Sequence, residues 1–90
     1  MDFKRGKNSI YIDDNNGNIL AEVTFPIVRE NIVSINKTYV SPTLRGQGVA
    51  GKIMEEAVKT IEKNAWKVKI ECSYAKNWFE MHPEKNELLI

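Results

Sequence analysis

Three glycines fall within six residues, at Gly46, Gly48 and Gly51, where a strand-like pattern has just ended and a helical one begins. A turn of this kind leaves several backbone N–H groups without partners. The helix behind it adds the positive end of its dipole. Glycine removes the Cβ that keeps a ligand away from the backbone. Together these features make an anion cradle suited to phosphate. A tight turn needs one or two glycines, and each further one costs roughly 0.5–1 kcal/mol where alanine would fit. The cluster therefore points to a ligand.

The loop fits more than one nucleotide-binding spacing. Gly46-Gln47-Gly48-Val49-Ala50-Gly51 matches the G-x-G-x-x-G of dinucleotide sites, and Glu71 lies near where a ribose-binding acid belongs. That fingerprint turns directly off its strand, whereas Ser41 to Arg45 intervene here. A chain of 90 residues also supplies only one βαβ unit. Gly46, Gly51 and Lys52 take the P-loop spacing as well, but the residue that should hold Mg²⁺ is Ile53, which cannot.

The elements that must position this loop are legible on both sides. Ile10, Tyr11 and Ile12 form a short apolar run that ends in Asp13-Asp14-Asn15-Asn16-Gly17-Asn18, a turn signal. Ile19, Ala21, Val23 and Phe25 then alternate with polar residues as a half-buried strand, stopped near Pro26. Arg29-Glu30-Asn31 reads as a second turn, so the first third is an antiparallel meander. A third strand is expected from Ile32 to Val40. Its apolar phase shifts near Asn36-Lys37-Thr38, which fits either a β-bulge or a solvent-facing Lys37.

Ala50, Ile53, Met54, Ala57, Val58 and Ile61 follow helical spacing, with Asn64 as the stop. Val68, Ile70 and Cys72 alternate as a fourth strand, giving a right-handed βαβ crossover. Ser73 is expected to cap a short final helix that carries Ala75, Trp78, Phe79 and His82 on one stripe and ends at Pro83. Residues 84 to 90 show no readable pattern. The fold class is α+β, in one domain spanning residues 1–90.

Thirteen basic and twelve acidic side chains leave a formal net charge of +1, which gives no support to a nucleic-acid or anionic-membrane partner. No apolar run is long enough to span a bilayer, and the N-terminus carries no signal-peptide pattern. Cys72 is the only cysteine, so no intrachain disulfide forms. A soluble cytoplasmic monomer is expected, with no metal.

Arg45-Gly46-Gln47-Gly48-Val49-Ala50 also reads as [R/Q]-x-x-G-x-[G/A], which resembles the acyl-coenzyme A loop of Gcn5-related N-acetyltransferases. Thr38-Tyr39-Val40-Ser41-Pro42, Cys72 after a strand and His82-Pro83-Glu84 look like the small, single-domain subfamily. One departure is Lys37, where these small proteins often carry His before the Thr of the third strand.

The resemblance implies acetyl-CoA as cosubstrate and an amine as acceptor. It implies that backbone N–H groups of residues 45 to 50 hold the pyrophosphate, with Gly51 beside them and Arg45 adding charge. The pantetheine arm would lie between parallel strands that splay apart near Val40 and Cys72. Tyr74 would reach the leaving sulfur, and Asn77 the phosphates or adenine. Cys72 would sit at the acetyl end. It can protonate the leaving thiolate, relay the acetyl group covalently, or simply fill space. Its position at a strand end before a helix N-terminus is a setting in which thiols are activated. His82, at a helix end, reads as capping or packing rather than as a base. A non-catalytic acyl-CoA-binding module is the alternative, discriminated by turnover with a panel of amines.

Overall fold

The computed structural model describes residues 2–90. Among the described residues, seven strands form two sheets, and two α-helices lie against them. The first sheet has the order β1-β2-β3-β6, from Lys4–Gly6, Ser9–Asp13, Ile19–Thr24 and Lys37–Val40. The second has the order β4-β5-β7, from Ile27–Arg29, Ile32–Ile35 and Lys67–Ile70. The architecture is α+β, with an antiparallel meander leading into a βαβ unit.

The β2–β3 turn is built by Asp14. Its carboxylate accepts from the N–H groups of Asn16 and Asn18 and from the Asn18 amide, at 2.8, 3.1 and 2.7 Å. Asn15 and Gly17 supply the positive φ angles, 67° and 91°. The hairpin turns Ile10, Ile12, Ala21 and Val23 inward, all buried.

Helix α1, Val49–Lys63, covers that face with Val49, Ile53, Met54, Ala57, Val58 and Ile61. It begins one residue before the expected start. Gly48 is its N-cap, in a left-handed conformation at φ 74°. Asn64 ends it, its amide donating to the Thr60 carbonyl at 2.8 Å.

The expected third strand is two strands. Val33 and Ile35 are buried with odd parity, whereas Thr38 and Val40 turn inward with even parity. Asn36 absorbs the change. Its N–H donates to the Thr24 carbonyl at 3.3 Å, while its side-chain oxygen accepts from the Thr24 hydroxyl at 2.6 Å. Before Asn36 the chain pairs in parallel with β7, and after it the chain pairs antiparallel with β3. Lys37 faces outward, 3.2 Å from Glu22.

Two short strands, β1 and β4, were not expected from the pattern, being three residues each. Residues 83 to 88 form a 3-10 turn that buries Leu88. The tail then docks on β7, where Ile90 N–H donates to the Val68 carbonyl at 3.1 Å.

Candidate active site

The strand break creates the site. Glu71 N–H donates to the Ile35 carbonyl at 3.0 Å, the last backbone bond between the two parallel segments. Past it, β6 turns toward β3, and Cys72 leads into helix α2, Ser73–Glu80. No backbone pairing joins β6 to the segment that carries Cys72, and across that gap in the pairing Thr38 Oγ1 and Cys72 Sγ lie 3.5 Å apart in a hydrogen bond.

Cys72, not Ser73, caps α2, and its Sγ accepts from Ala75 N–H at 3.4 Å. The extended backbone at Cys72, φ −134° and ψ 147°, places its side chain over the first turn, whereas Ser73 is already helical. The thiol is therefore fixed in place by two polar partners, and it is only partly buried.

The glycine loop follows β6 and leads into α1. Gly46 and Gly48 take φ angles of 82° and 74°, where a Cβ is strained. Among the described residues, no N–H group of residues 46 to 51 meets a protein acceptor. The first turn of α1 carries no acidic side chain. Five of these six residues, Gly46 and Gly48 to Gly51, and the positive end of the helix dipole border the same space, with no first-turn carboxylate to fill it.

That space is a cavity of about 170 Å³. Val40 walls it from β6, Arg45, Gly46 and Gly48 from the loop, and Tyr74 from α2. Val49, Ala50 and Gly51 complete it from the first turn of α1. Arg45 is steadied by its Nε donating to the Val40 carbonyl at 3.3 Å. Gln47 does not line the cavity, and its side-chain amide donates to the Thr43 carbonyl at 3.2 Å. Asn77 lies outside this cavity, on the wall of a neighbouring groove.

Tyr74 is part-buried, and desolvation pushes its hydroxyl pKa above the ordinary tyrosine value. It stays protonated through the neutral range and can donate to an anion formed beside it. The proton is lost only on the alkaline side of the ordinary tyrosine range, about pH 10.

The remaining sequence candidates fall elsewhere. Glu71 is exposed and accepts from the buried Ser34 hydroxyl at 2.6 Å. His82 Nδ1 lies 2.7 Å from the Trp78 carbonyl, and its ring stacks on Trp78 at 3.9 Å. Lys37 projects from the face of β6 opposite Thr38. Thr38 was missed as a site residue. The signal was present, since it shares strand parity with Val40.

A model of the GCN5-related N-acetyltransferase family matches residues 9–88. The chain belongs to that family. A GCN5-like protein from Staphylococcus aureus, solved by NMR, is 35% identical to this family member. The alignment covers 99% of this chain and 87% of that one, with a TM-score of 0.81.

More distant structures show the same fold. One is a Mycobacterium tuberculosis protein in complex with CoA, at 14% identity and a TM-score of 0.65, covering 84% of this chain and 47% of that one. Another is the Escherichia coli ribosomal-protein-S18-alanine N-acetyltransferase, at 16% identity and a TM-score of 0.64, covering 87% and 54%. This acetyltransferase domain spans about half the length of both. No curated protein matches the chain.

Proposed function

We propose that the protein transfers an acetyl group from acetyl-CoA to an amine of a small molecule or a protein. The observation that carries this reading is the meeting of two features at Val40. A cradle of unpartnered N–H groups borders Val40 at the end of β6, the strand whose Thr38 hydroxyl contacts the Cys72 thiol. The CoA complex of a structure with the same fold supports the choice of ligand.

The resemblance gives the pyrophosphate to the N–H groups of residues 45 to 50; the Arg45 N–H is already taken by the Pro42 carbonyl at 3.4 Å, so in this reading residues 46 to 51 hold it and Arg45 adds only a charged contact. The amide-rich arm runs past Val40 and pairs with backbone freed by the break at Asn36. Its thioester then lies near Tyr74, Thr38 and Cys72. A neutral amine attacks the carbonyl carbon, the C–N bond forms, and the C–S bond breaks. The proton released by the amine balances the one taken up by the CoA thiolate. Tyr74 or Cys72 is the donor, and positioning supplies much of the rate. A lone cysteine suits a reducing cytoplasm, and near-neutral charge gives no support to a nucleic-acid or anionic-membrane partner; we take the protein to act there as a monomer.

An NMR titration with acetyl-CoA, CoA and NAD tests the ligand class. Acetyl-CoA is expected to bind with a Kd of roughly 1 μM to 1 mM, about −8 to −4 kcal/mol. Amide shifts should concentrate at Val40 and at residues 45 to 51. Equal or tighter binding of NAD, or shifts confined to other residues, overturns the reading. Binding without CoA release across a panel of amines would leave an acyl-CoA-binding module.

A further inference from the structure

Thr38 carries a hydroxyl where its surroundings are apolar. It stands on the inner face of β6, opposite Val23 of β3, and Val40 follows it on the same face. Val23, the neighbouring Ala21 and Ile35, the last inward residue of β5, are all fully buried. Valine has nearly the shape of threonine and would bring no polar atom to this face. The Thr38 hydroxyl has one hydrogen-bond partner among the described residues, the Cys72 sulfur at 3.5 Å. Sulfur is a weak acceptor, so this bond offsets little of the cost of turning a hydroxyl inward. Packing alone gives no reason for threonine here.

The sulfur has a second partner in Ala75 N–H, at 3.4 Å. That donor belongs to the first turn of the helix that Cys72 caps, whereas Thr38 lies 34 positions earlier on another element. The bond from α2 fixes how far the sulfur stands from its own helix. The bond from β6 fixes which way it faces. A sulfur that has given up its proton can only accept, and both partners can then donate to it.

We propose that Thr38 is a positioning residue for acetyl transfer, its hydroxyl holding the Cys72 sulfur in the orientation from which it acts. The inference rests on the acetyl-CoA reading above. It applies equally to a sulfur that gives a proton and to one that takes the acetyl group. Thr38 itself forms no covalent bond in either case.

The test uses the full chain with two variants. Thr38→Val keeps the branched shape and removes the hydroxyl, and Thr38→Ser does the reverse. Thr38→Val should leave Tm unchanged or raise it, because an inward polar atom is lost. Its turnover should fall about tenfold or more, in kcat rather than KM, with acetyl-CoA affinity within about twofold of wild type. Thr38→Ser should stay within about threefold of wild-type turnover despite a lower Tm from its missing methyl group. Stability and activity then rank the two variants in opposite order. Added to Cys72→Ser, Thr38→Val should cost no more than about a further twofold, because the hydroxyl acts through the sulfur.

Alkylation by iodoacetamide, followed by intact mass at neutral pH, reads the same contact without coenzyme. Cys72 is the only cysteine, so the signal is unambiguous. The thiolate is the reacting form, and Thr38→Val should slow its alkylation about threefold or more, with Thr38→Ser restoring the rate. Wild-type turnover and alkylation in Thr38→Val overturn the proposal. An equal loss of turnover with and without the thiol also overturns it, since the hydroxyl would then act on the substrate directly. A fall in Tm in Thr38→Val that accounts for its lost turnover returns the residue to packing. If the wild type releases no CoA with any amine, the transfer reading fails, and the alkylation contrast alone then upholds or overturns the hold of Thr38 on the sulfur.

Discussion

Cys72→Ser is expected to fold, to hold acetyl-CoA within about threefold of wild type, and to lose roughly a hundredfold or more in turnover. Serine is the informative replacement because of where the thiol sits. Cys72 caps α2 through its sulfur, which accepts from Ala75 N–H at 3.4 Å. Serine ranks among the strongest N-caps, whereas alanine gives up the cap at a cost of about 0.5–2 kcal/mol. Cys72→Ala therefore mixes a chemical loss with a structural one, and Cys72→Ser separates them.

The affinity should hold because the pyrophosphate is bound at the loop, away from the sulfur. Amine-dependent CoA release measures the loss. Intact-protein mass spectrometry after incubation with acetyl-CoA assigns its origin. A gain of one acetyl group on wild type, absent from Cys72→Ser, marks a covalent relay. Lost turnover with no acetylated protein marks proton donation or direct transfer. Full activity in Cys72→Ser reduces the thiol to a cap that happens to contain sulfur.

Gly51→Ala should move stability and binding in opposite directions. Gly51 is the third residue of α1 and its backbone is helical, with no positive φ. An added Cβ would sit 3.7 Å from Tyr74 Oη, an ordinary contact. Nothing in the protein itself demands glycine there. Alanine should therefore stabilise the fold by roughly 0.5–1 kcal/mol, raising Tm by about 2–8 °C. The same methyl group narrows the passage between α1 and Tyr74, where the cradle and the groove meet. Acetyl-CoA affinity should fall at least tenfold, about 1.4 kcal/mol. Calorimetric titration and thermal denaturation of one preparation read both effects. An alanine variant that binds as tightly as wild type would show that no ligand approaches the helix at this point.

The sequence exposed those parts of the site that depend on local pattern. Helix α1 was legible because six apolar residues keep a 3.6-residue period, and the cradle because its glycines interrupt that period at the start. The phase shift near Asn36 was visible, but not its result. Which sheet each half of the strand joins is decided by Thr24 and β7, both distant in sequence. Cys72 was read as the end of the fourth strand, whereas β7 ends at Ile70 and Cys72 caps α2; that role was missed because sulfur is an uncommon cap and Ser73 follows it. Strands β1 and β4 are too short to show a period. The 84–90 tail is ordered by its contact with β7, which no window of its own sequence contains. The groove beyond the cradle exists only where two helices approach, so no single window of sequence contains it.

The change of parity at Asn36 also governs how the chain tolerates changes in its length. Side chains in a strand alternate, so a one-residue slip reverses every inward and outward assignment beyond it. Between Ile32 and Val40 a single insertion or deletion would exchange Thr38 and Val40 for Lys37 and Tyr39 on the inner face. Two charged or phenolic groups would then stand where the gap needs a hydroxyl and a small apolar wall. The Asp13–Asn18 turn carries no such constraint, since it lies in solvent and its neighbours are set by the strands it joins. Related chains should accordingly vary in length at that hairpin and keep a fixed count from Ile32 to Val40. The spacing between those two residues then serves as a ruler for aligning distant members of the family, even where identities have faded.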